Sequence, residues 1–229
     1  SWSIQELGVT ENGQKDVLAK LKEAFSRTVD IRRVYDCLTA DCPYELFWAG
    51  SQFSWDCTFS RVGERTAVKS LTIRLEVAQD YQGGSATAVS PSKIAAANQV
   101  VANAQAIVDK HKDESDYEKL ISYREEICSL TAYNTTAARE ETPYGNPWQL
   151  IYVFDGDPQT NVVCEGYAKA FKYLCDLSDF DGTVVCRTVT GKMGAGGHMW
   201  NVVQMGDGKN YLVDVTNCDN GMIGSDGKL

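Results

Sequence analysis

The 229-residue sequence has few of the features that mark metal, membrane or nucleic-acid proteins. It contains two histidines, His111 and His198, and none of its cysteines forms a C-x-x-C pair, so it lacks the clustered spacing of a structural zinc site. No stretch approaches the ~18 apolar residues of a membrane span. Basic residues (22) are outnumbered by acidic ones (31), and the net charge of −9 argues against a nucleic-acid or anionic-membrane surface.

The remaining composition is that of a globular protein, with 43% hydrophobic and 23% charged residues. Eight cysteines are many for a cytosolic protein and few for a disulfide scaffold. If the surroundings are oxidising and one cysteine is catalytic, seven remain, so at least one would stay free or pair between chains. Cysteine usage therefore leaves the compartment open. The cysteines are Cys37, Cys42, Cys57, Cys128, Cys164, Cys175, Cys186 and Cys218.

Hydrophobic periodicity predicts helices and a hairpin in the first half of the chain. Apolar residues at helical spacing predict a helix over 13–30. Alternation with a period of two predicts strands over 52–59 and 71–77, joined as an antiparallel hairpin. An Ala-rich helix is predicted over 92–111, with Ser90-Pro91 as its start.

The second half is predicted to contain helices followed by sequential strands. Ser115 and Glu118 form a capping box, and Asn161 is a plausible N-cap for a helix over 162–177. Residues 131–147 are predicted to be a long irregular connection. Strands are predicted over 183–190, 198–205 and 210–216. This order favours an α+β fold with an antiparallel sheet over a doubly wound fold.

Cys164 and His198 have the placement of a nucleophile and a base. Cys164 lies in the first turn of its predicted helix, where the macrodipole and free N–H groups favour a thiolate. The nearby Gly166 leaves room for close approach by a substrate or another backbone. His198 opens a strand after the flexible, glycine-rich run 191–197, and Asp214 lies on the next strand.

Two turn lengths are compatible with the hairpin that carries His198 and Asp214. A loop over 205–207 sets them directly opposite, whereas a loop over 206–208 pairs His198 with Thr216 and leaves Asp214 as the diagonal neighbour. Both registers put the two side chains on one face, with Cβ atoms about 5 Å or ~7 Å apart. The carboxylate would hold one imidazole nitrogen and leave the other to take the thiol proton.

At these residues the sequence resembles the transglutaminase-like superfamily, whose members are relatives of papain-like cysteine enzymes. The matching blocks are VCEGYAKAF (163–171), GHMWNVV (197–203) and YLVDVT (211–216). The resemblance implies an α+β papain-like core over 113–229, in which a nucleophile helix packs on an antiparallel sheet. Residues 1–112 are then an N-terminal α/β extension, a helix plus a hairpin, packed on that core. The sequence departs from the family at 217–219, where an aromatic residue is usual.

The resemblance also implies a function. A thiol attacks an amide carbonyl, and the thioester is resolved by water or an amine, without cofactor or metal. We expect a bacterial peptidase with a protein or peptide substrate and the triad Cys164, His198 and Asp214. Two alternatives stay open: a protein-glutamine cross-linking transglutaminase, and a non-catalytic envelope binding or scaffold module. Gln149 and Trp148 are candidates for a second oxyanion donor.

The same resemblance suggests an extracellular or cell-envelope location. The chain opens at Ser1 without a targeting segment, which we interpret as the result of processing or engineering. The oligomeric state is left open by the sequence.

Overall fold

The computed structural model describes residues 1–3, 5–8, 14–139, 146–194 and 196–219. Within these ranges the helices are α1 (Gln14–Thr28), α2 (Ile31–Asp41), α3 (Ala96–Lys110), α4 (Asp116–Leu130), α5 (Thr135–Arg139), α6 (Ile151–Phe154), α7 (Cys164–Leu177) and α8 (Val215–Cys218). The strands are β1 (Trp2–Ser3), β2 (Ala49–Val62), β3 (Arg65–Val77), β4 (Val185–Met193), β5 (Gly196–Gln204) and β6 (Asn210–Val213). They form two sheets, ordered β1-β3-β2 and β4-β5-β6, so the predicted α+β class with antiparallel pairing is confirmed.

The chain divides into two compact units. One comprises Ser1–Leu38 with Gln52–Glu76, and the other comprises Thr39–Ser51 with Val77–Leu229. The bounds differ from the predicted division at residue 112, because α3 packs against α6 and α7 and so belongs to the second unit. The assignment of residues 1–112 and residues 113–229 as the two domains of the chain stays a prediction.

The first unit contains the predicted helix and hairpin. The helix forms as α1, and β2 and β3 extend beyond the predicted strands on both sides of the turn at Gly63. Gly63 has φ +62°, a backbone conformation that glycine adopts without strain. Buried Phe25, Ile31 and Cys57 form the core of this unit, with alternate apolar residues of the hairpin packed against them.

The second unit is built around α7, whose residues from Gly166 to Cys175 are all buried. The helix packs on the β4-β5-β6 sheet and is flanked by α3, α4 and α6. The predicted capping box starts α4: Ser115 Oγ accepts from the Glu118 N–H, and Glu118 Oε2 accepts from the Ser115 N–H at 3.0 Å. None of the described helices is long and apolar enough to cross a bilayer.

Two connections differ from their predictions. The helix expected from residue 92 begins at Ala96, because Ser90 does not cap it; the Ser90 carbonyl instead accepts from the N–H groups of Lys93 and Ile94 in a turn. The stretch 131–147, predicted to be irregular, contains α5 and a short 3₁₀ turn at Asn146–Trp148. Its residues 140–145 lie outside the described residues.

Candidate active site

Cys164 is the first residue of α7, so its thiol lies in the first helical turn, as predicted. The helix begins two residues later than predicted, because Asn161 is not its N-cap; Asn161 Oδ1 accepts from the Ala132 N–H at 3.2 Å. Val163 is the N-cap, with an extended backbone, and its N–H donates to the Pro147 carbonyl at 2.8 Å. Hydrogen bonds to two neighbouring segments, at Ala132 and at Pro147, therefore fix the N-terminal end of α7, which carries the sulfur.

The surroundings of the Cys164 thiol raise its pKa. Burial is the largest cause, because it disfavours the charged thiolate. The backbone N–H groups of Met199 and Glu165 interact with the sulfur and lower the pKa, while the negative charges of Glu165 and Asp214 raise it. The first-turn N–H of Glu165 thus favours the thiolate, as expected at a helix terminus, but burial outweighs its effect. Cys164 rests as a thiol, and attack on a substrate requires a base.

Gly166 allows the segment before Cys164 to fold back onto the first turns of α7. A Cβ added at Gly166 would lie 2.5 Å from Val162 Cβ and 2.9 Å from Val162 Cγ1. Val162 is fully buried, and its backbone pairs with Ala132 and Asn134. The close approach predicted at Gly166 is therefore made by the side chain of Val162.

His198 is buried in β5 and is hydrogen-bonded to Asp214. The distance from His198 Nε2 to Asp214 Oδ2 is 2.7 Å. A carboxylate can only accept, so Nε2 carries the proton, and the lone pair of the neutral ring is on Nδ1. The backbone N–H of Met199, the next residue of β5, interacts with the Cys164 thiol and lowers its pKa, so this thiol lies near the part of β5 that carries His198. Nδ1 is the ring nitrogen left to take a thiol proton.

The register of β5 and β6 explains how Asp214 reaches His198. The ladder pairs Asn201 with Val213, and the same register continued by three positions faces His198 with Thr216. The second of the two predicted registers is therefore found. The strand predicted to reach Thr216 ends at Val213, and Asp214 turns out of the ladder to become the N-cap of α8. This turn brings the diagonal carboxylate within hydrogen-bond distance of the ring.

Residues 191–193 and 196–197 of the glycine-rich run lie in strands rather than in the predicted flexible segment. β4 continues to Met193 and β5 starts at Gly196, while Ala195 lies outside the described residues. The two strands pair as far as Met193 with Gly196, so the hairpin is tight. Gly194 has φ +61°, the left-handed conformation that favours glycine in a turn.

Trp200 holds the imidazole from one side. The rings of His198 and Trp200 stack with centroids 5.8 Å apart and an interplanar angle of 24°. Gly191 pairs with His198 across β4 and β5, and a Cβ added there would lie 2.5 Å from Cη2 of Trp200. The absence of a side chain at Gly191 therefore makes room for the indole that supports the base.

Gln149, one of two predicted candidates for an oxyanion donor, is 1% exposed. Its Oε1 accepts from Lys169 Nζ at 3.1 Å, and the same ammonium donates to Glu165 Oε1 at 2.6 Å. Because an ammonium can only donate, the amide oxygen faces Lys169 and Nε2 is left as a donor. The other candidate, Trp148, is half-buried at the end of its 3₁₀ turn. Both oxyanion roles stay predictions.

Asn217 is a site residue that sequence reasoning missed. Its Nδ2 donates to Asp214 Oδ2 at 2.6 Å. The available signal was the departure from the family pattern at 217–219. In the described ranges no group of three or more His, Cys, Asp and Glu side chains is arranged to hold a metal ion.

Comparison with solved structures finds a similarity in fold that the sequence comparisons do not detect. No protein-family model and no curated protein matches the sequence. A solved structure described as "Crystal structure of a TGase" is similar with a TM-score of 0.44 and 15% sequence identity. The similarity covers 73% of this chain and 45% of that chain, so this chain spans less than half the length of that structure.

Proposed function

We propose that this protein is a cysteine-dependent acyl-transfer enzyme that hydrolyses amide bonds in peptides or proteins. One observation carries the proposal: His198 Nε2 lies 2.7 Å from Asp214 Oδ2, and the backbone N–H of Met199, the residue after that histidine, interacts with the Cys164 thiol and lowers its pKa. These side chains supply a nucleophile, a base and an orienting carboxylate. In this proposal α7 on the β4-β5-β6 sheet is the papain-like core implied by the sequence resemblance.

The first half-reaction forms a thioester. His198 Nδ1 takes the thiol proton as the sulfur of Cys164 attacks the carbonyl carbon, and an electron pair moves onto the carbonyl oxygen. Asp214 holds the ring and stabilises the imidazolium. When the tetrahedral intermediate collapses, the C–N bond breaks and the imidazolium gives its proton to the leaving amine. The raised pKa of Cys164 makes the base essential, since little thiolate exists before the substrate binds.

The tetrahedral intermediate needs donors for its negative oxygen. The N–H of Cys164 lies at the start of α7, where N–H groups have no acceptor within the helix. We assign it as the first oxyanion donor, because it belongs to the residue that bears the attacking sulfur. Nε2 of Gln149 is the candidate for the second, because its oxygen is already bound to Lys169.

The second half-reaction releases the acyl group. His198 Nδ1 takes a proton from water as the oxygen attacks the thioester, the C–S bond breaks, and the sulfur regains its proton from the imidazolium. A carboxylic acid leaves. A primary amine in place of water would form a new amide by the same proton transfers, which is the cross-linking alternative.

A peptide-library assay with and without a primary amine tests the proposal. We expect the wild-type protein to give hydrolysed fragments by mass spectrometry, and Cys164→Ala to give none. Cys37→Ala is the matched control, because Cys37 is exposed and should leave the products unchanged. Cleavage that survives Cys164→Ala would overturn the proposal, and amine-containing products would replace hydrolysis by amine transfer.

A covalent probe separates an enzyme from a binding module that merely keeps the fold. A peptidyl chloromethyl ketone should label Cys164 in the wild-type protein, because the proposed base assists the attack. His198→Ala should lose this labelling, whereas slow labelling of exposed Cys37 should stay the same. Labelling of Cys164 that does not depend on His198 would favour the binding module.

A further inference from the structure

Asn217, the third residue of α8, makes two hydrogen bonds to Asp214. Its side-chain Nδ2 donates to Asp214 Oδ2 at 2.6 Å, and its backbone N–H donates to Asp214 Oδ1 at 3.3 Å. The third donor is His198 Nε2, at 2.7 Å from Oδ2. Within the described residues, Asn217 therefore donates two of the three hydrogen bonds that this carboxylate accepts.

The amide of Asn217 has only one possible orientation. A carboxylate accepts and cannot donate, so the group facing Asp214 must be the NH₂. Nδ2 also lies 3.4 Å from Met193 Sδ, a weak acceptor. The amide oxygen is buried and has no hydrogen-bond partner within the described ranges. Leaving a buried acceptor unpaired is costly, so the side chain is arranged around donation to Asp214.

We propose that Asn217 is a positioning residue, whose side-chain amide holds Asp214 Oδ2 on His198 Nε2. This inference rests on the proposed acyl-transfer function. Hydrogen bonds to an ionised acceptor are short and strong. Both side-chain donors converge on one oxygen, so rotating the carboxylate away from His198 would break two such bonds at once. Asn217 thereby keeps Asp214 in the rotamer that orients the base.

The two hydrogen bonds of Asn217 can be separated by substitution. The backbone bond caps α8 and is available to most residues at this position, whereas the side-chain bond needs a donor. Asn217→Leu has the same number and branching of side-chain heavy atoms and keeps the backbone bond but removes the donor. Asn217→Gln keeps an amide donor on a longer arm. Asn98→Leu, on an exposed position of α3, is the matched control.

The experiment measures kcat and KM on a cleaved peptide, together with thermal melting, for the wild-type protein and these three variants. We expect Asn217→Leu to lower kcat about tenfold with KM nearly unchanged, because the lost bond orients the base and does not touch substrate. Asn217→Gln should recover part of kcat, and Asn98→Leu should match the wild type. A purely structural role would lower the melting temperature without this split between kcat and KM.

A second measurement does not need turnover. The Nε2 proton of His198, bonded to a carboxylate, should give a downfield ¹H NMR signal. This signal should broaden or disappear by solvent exchange in Asn217→Leu and persist in Asn217→Gln.

The outcomes distinguish this inference from the proposed function. If the wild type cleaves peptides and Asn217→Leu retains its kcat and its NMR signal, the inference is overturned and the proposed function stands. If the wild type cleaves nothing, the proposed function fails, and the NMR comparison alone decides whether Asn217 holds Asp214 on His198. If Asn217→Leu does not fold, Asn217→Ala takes its place in both measurements.

Discussion

Single side chains at the site are held by specific contacts on several sides. The imidazole of His198 has Asp214 at Nε2 and the indole of Trp200 against its face. The thiol of Cys164 interacts with the backbone N–H groups of Met199 and Glu165, which lower its pKa. Such a site tolerates little change in charge, shape or donor count, because each group orients the next one.

Replacing Asp214 by Asn should inactivate the protein with little change in its shape. The amide can keep a hydrogen bond to His198, but its NH₂ group favours the wrong ring tautomer and cannot stabilise an imidazolium. We expect kcat to fall by about 100-fold or more. Asp16→Asn, at an exposed position of α1, is the control and should leave kcat unchanged. Wild-type kcat in Asp214→Asn would remove the carboxylate from the mechanism.

Replacing Gly166 by Ala should destabilise the protein and weaken its activity. The new Cβ would meet Val162 Cβ at 2.5 Å, and that atom cannot swing away like the end of a long side chain. Overpacking of this kind costs about 1–3 kcal/mol, which outweighs the gain of up to about 1 kcal/mol in helix propensity. Urea unfolding measures the difference. Gly206→Ala should be near neutral, since its nearest neighbours would be 3.8 Å away; equal effects of both changes would refute the packing account.

At the scale of elements, helices and strands of high periodicity could be predicted, and their ends could not. The capping box of α4 and the helix that carries Cys164 follow from local side-chain chemistry. The start of α7 was misplaced because Asn161, a good N-cap by type, bonds to Ala132 across the fold instead. The general preference of asparagine for N-cap positions could not indicate that Asn161 accepts a hydrogen bond from Ala132, which lies 29 positions away in the chain.

The candidate site likewise has features that could be predicted from the sequence and features that could not. It could be predicted that the side chains of His198 and Asp214 lie on the same face of the sheet, because the alternation of side chains along the strands gives this result in either register. The departure of Asp214 from its strand could not, because it depends on the cap that Asp214 provides to α8. The contact of Asn217 with that carboxylate depends on the same turn. The glycines suggested that residues 191–197 are flexible. Instead, the glycines of β4 and β5 pair in the ladder, and Gly191 makes room for the indole of Trp200.

The other histidine joins two helices. His111 ends α3, and its ring nitrogens lie 2.8 Å from Glu114 Oε1 and 3.0 Å from Oε1 of Glu126 on α4. Lys110 also bonds Glu126. Burial lowers the pKa of His111, but the hydrogen bonds and charges of the two glutamates more than offset this, so its pKa is raised.

The raised pKa of His111 makes the junction of α3 and α4 sensitive to pH. The folded state holds the proton more tightly than the unfolded state, so the added stability is present below about pH 6.5 and is lost as pH rises through the folded-state pKa. We expect His111→Gln to lower the free energy of unfolding by about 1 kcal/mol more at pH 5.5 than at pH 8.5. Urea titrations at both pH values measure this. An equal loss at the two pH values would contradict the charged pair.

On the scale of the whole molecule, buried thiols are spread through the second unit, and burial raises the pKa of each of Cys128, Cys164 and Cys175. Burial raises the pKa of Cys128 to about 12, and the thiol of this residue donates to the Val215 carbonyl at 3.7 Å. The unfolded chain exposes the same groups to water, where a thiol titrates near 8.5. The folded protein therefore keeps protons that the unfolded chain loses in alkaline solution.

This difference predicts alkaline destabilisation. Stability should be complete below about pH 8.5 and should fall as pH rises toward 12, because only the unfolded state releases the proton in that window. Cys128 alone should account for about 2 kcal/mol between pH 7 and pH 10. Urea unfolding with a reducing agent should show this loss in the wild type and a smaller one in Cys128→Ala. Cys37→Ala, which removes an exposed thiol, should follow the wild type; identical slopes for all three proteins would refute the account.

The ring stack at the site has an optical consequence. A protonated imidazole quenches the fluorescence of a touching indole far more than a neutral one does, and His198 lies against Trp200. Emission from Trp200 should therefore dim each time the base gains a proton and recover each time it gives one up. Subtracting the emission of Trp200→Phe would isolate this signal from the remaining tryptophans. Rapid-mixing fluorescence could then follow the build-up and decay of the protonated base during turnover without an added dye.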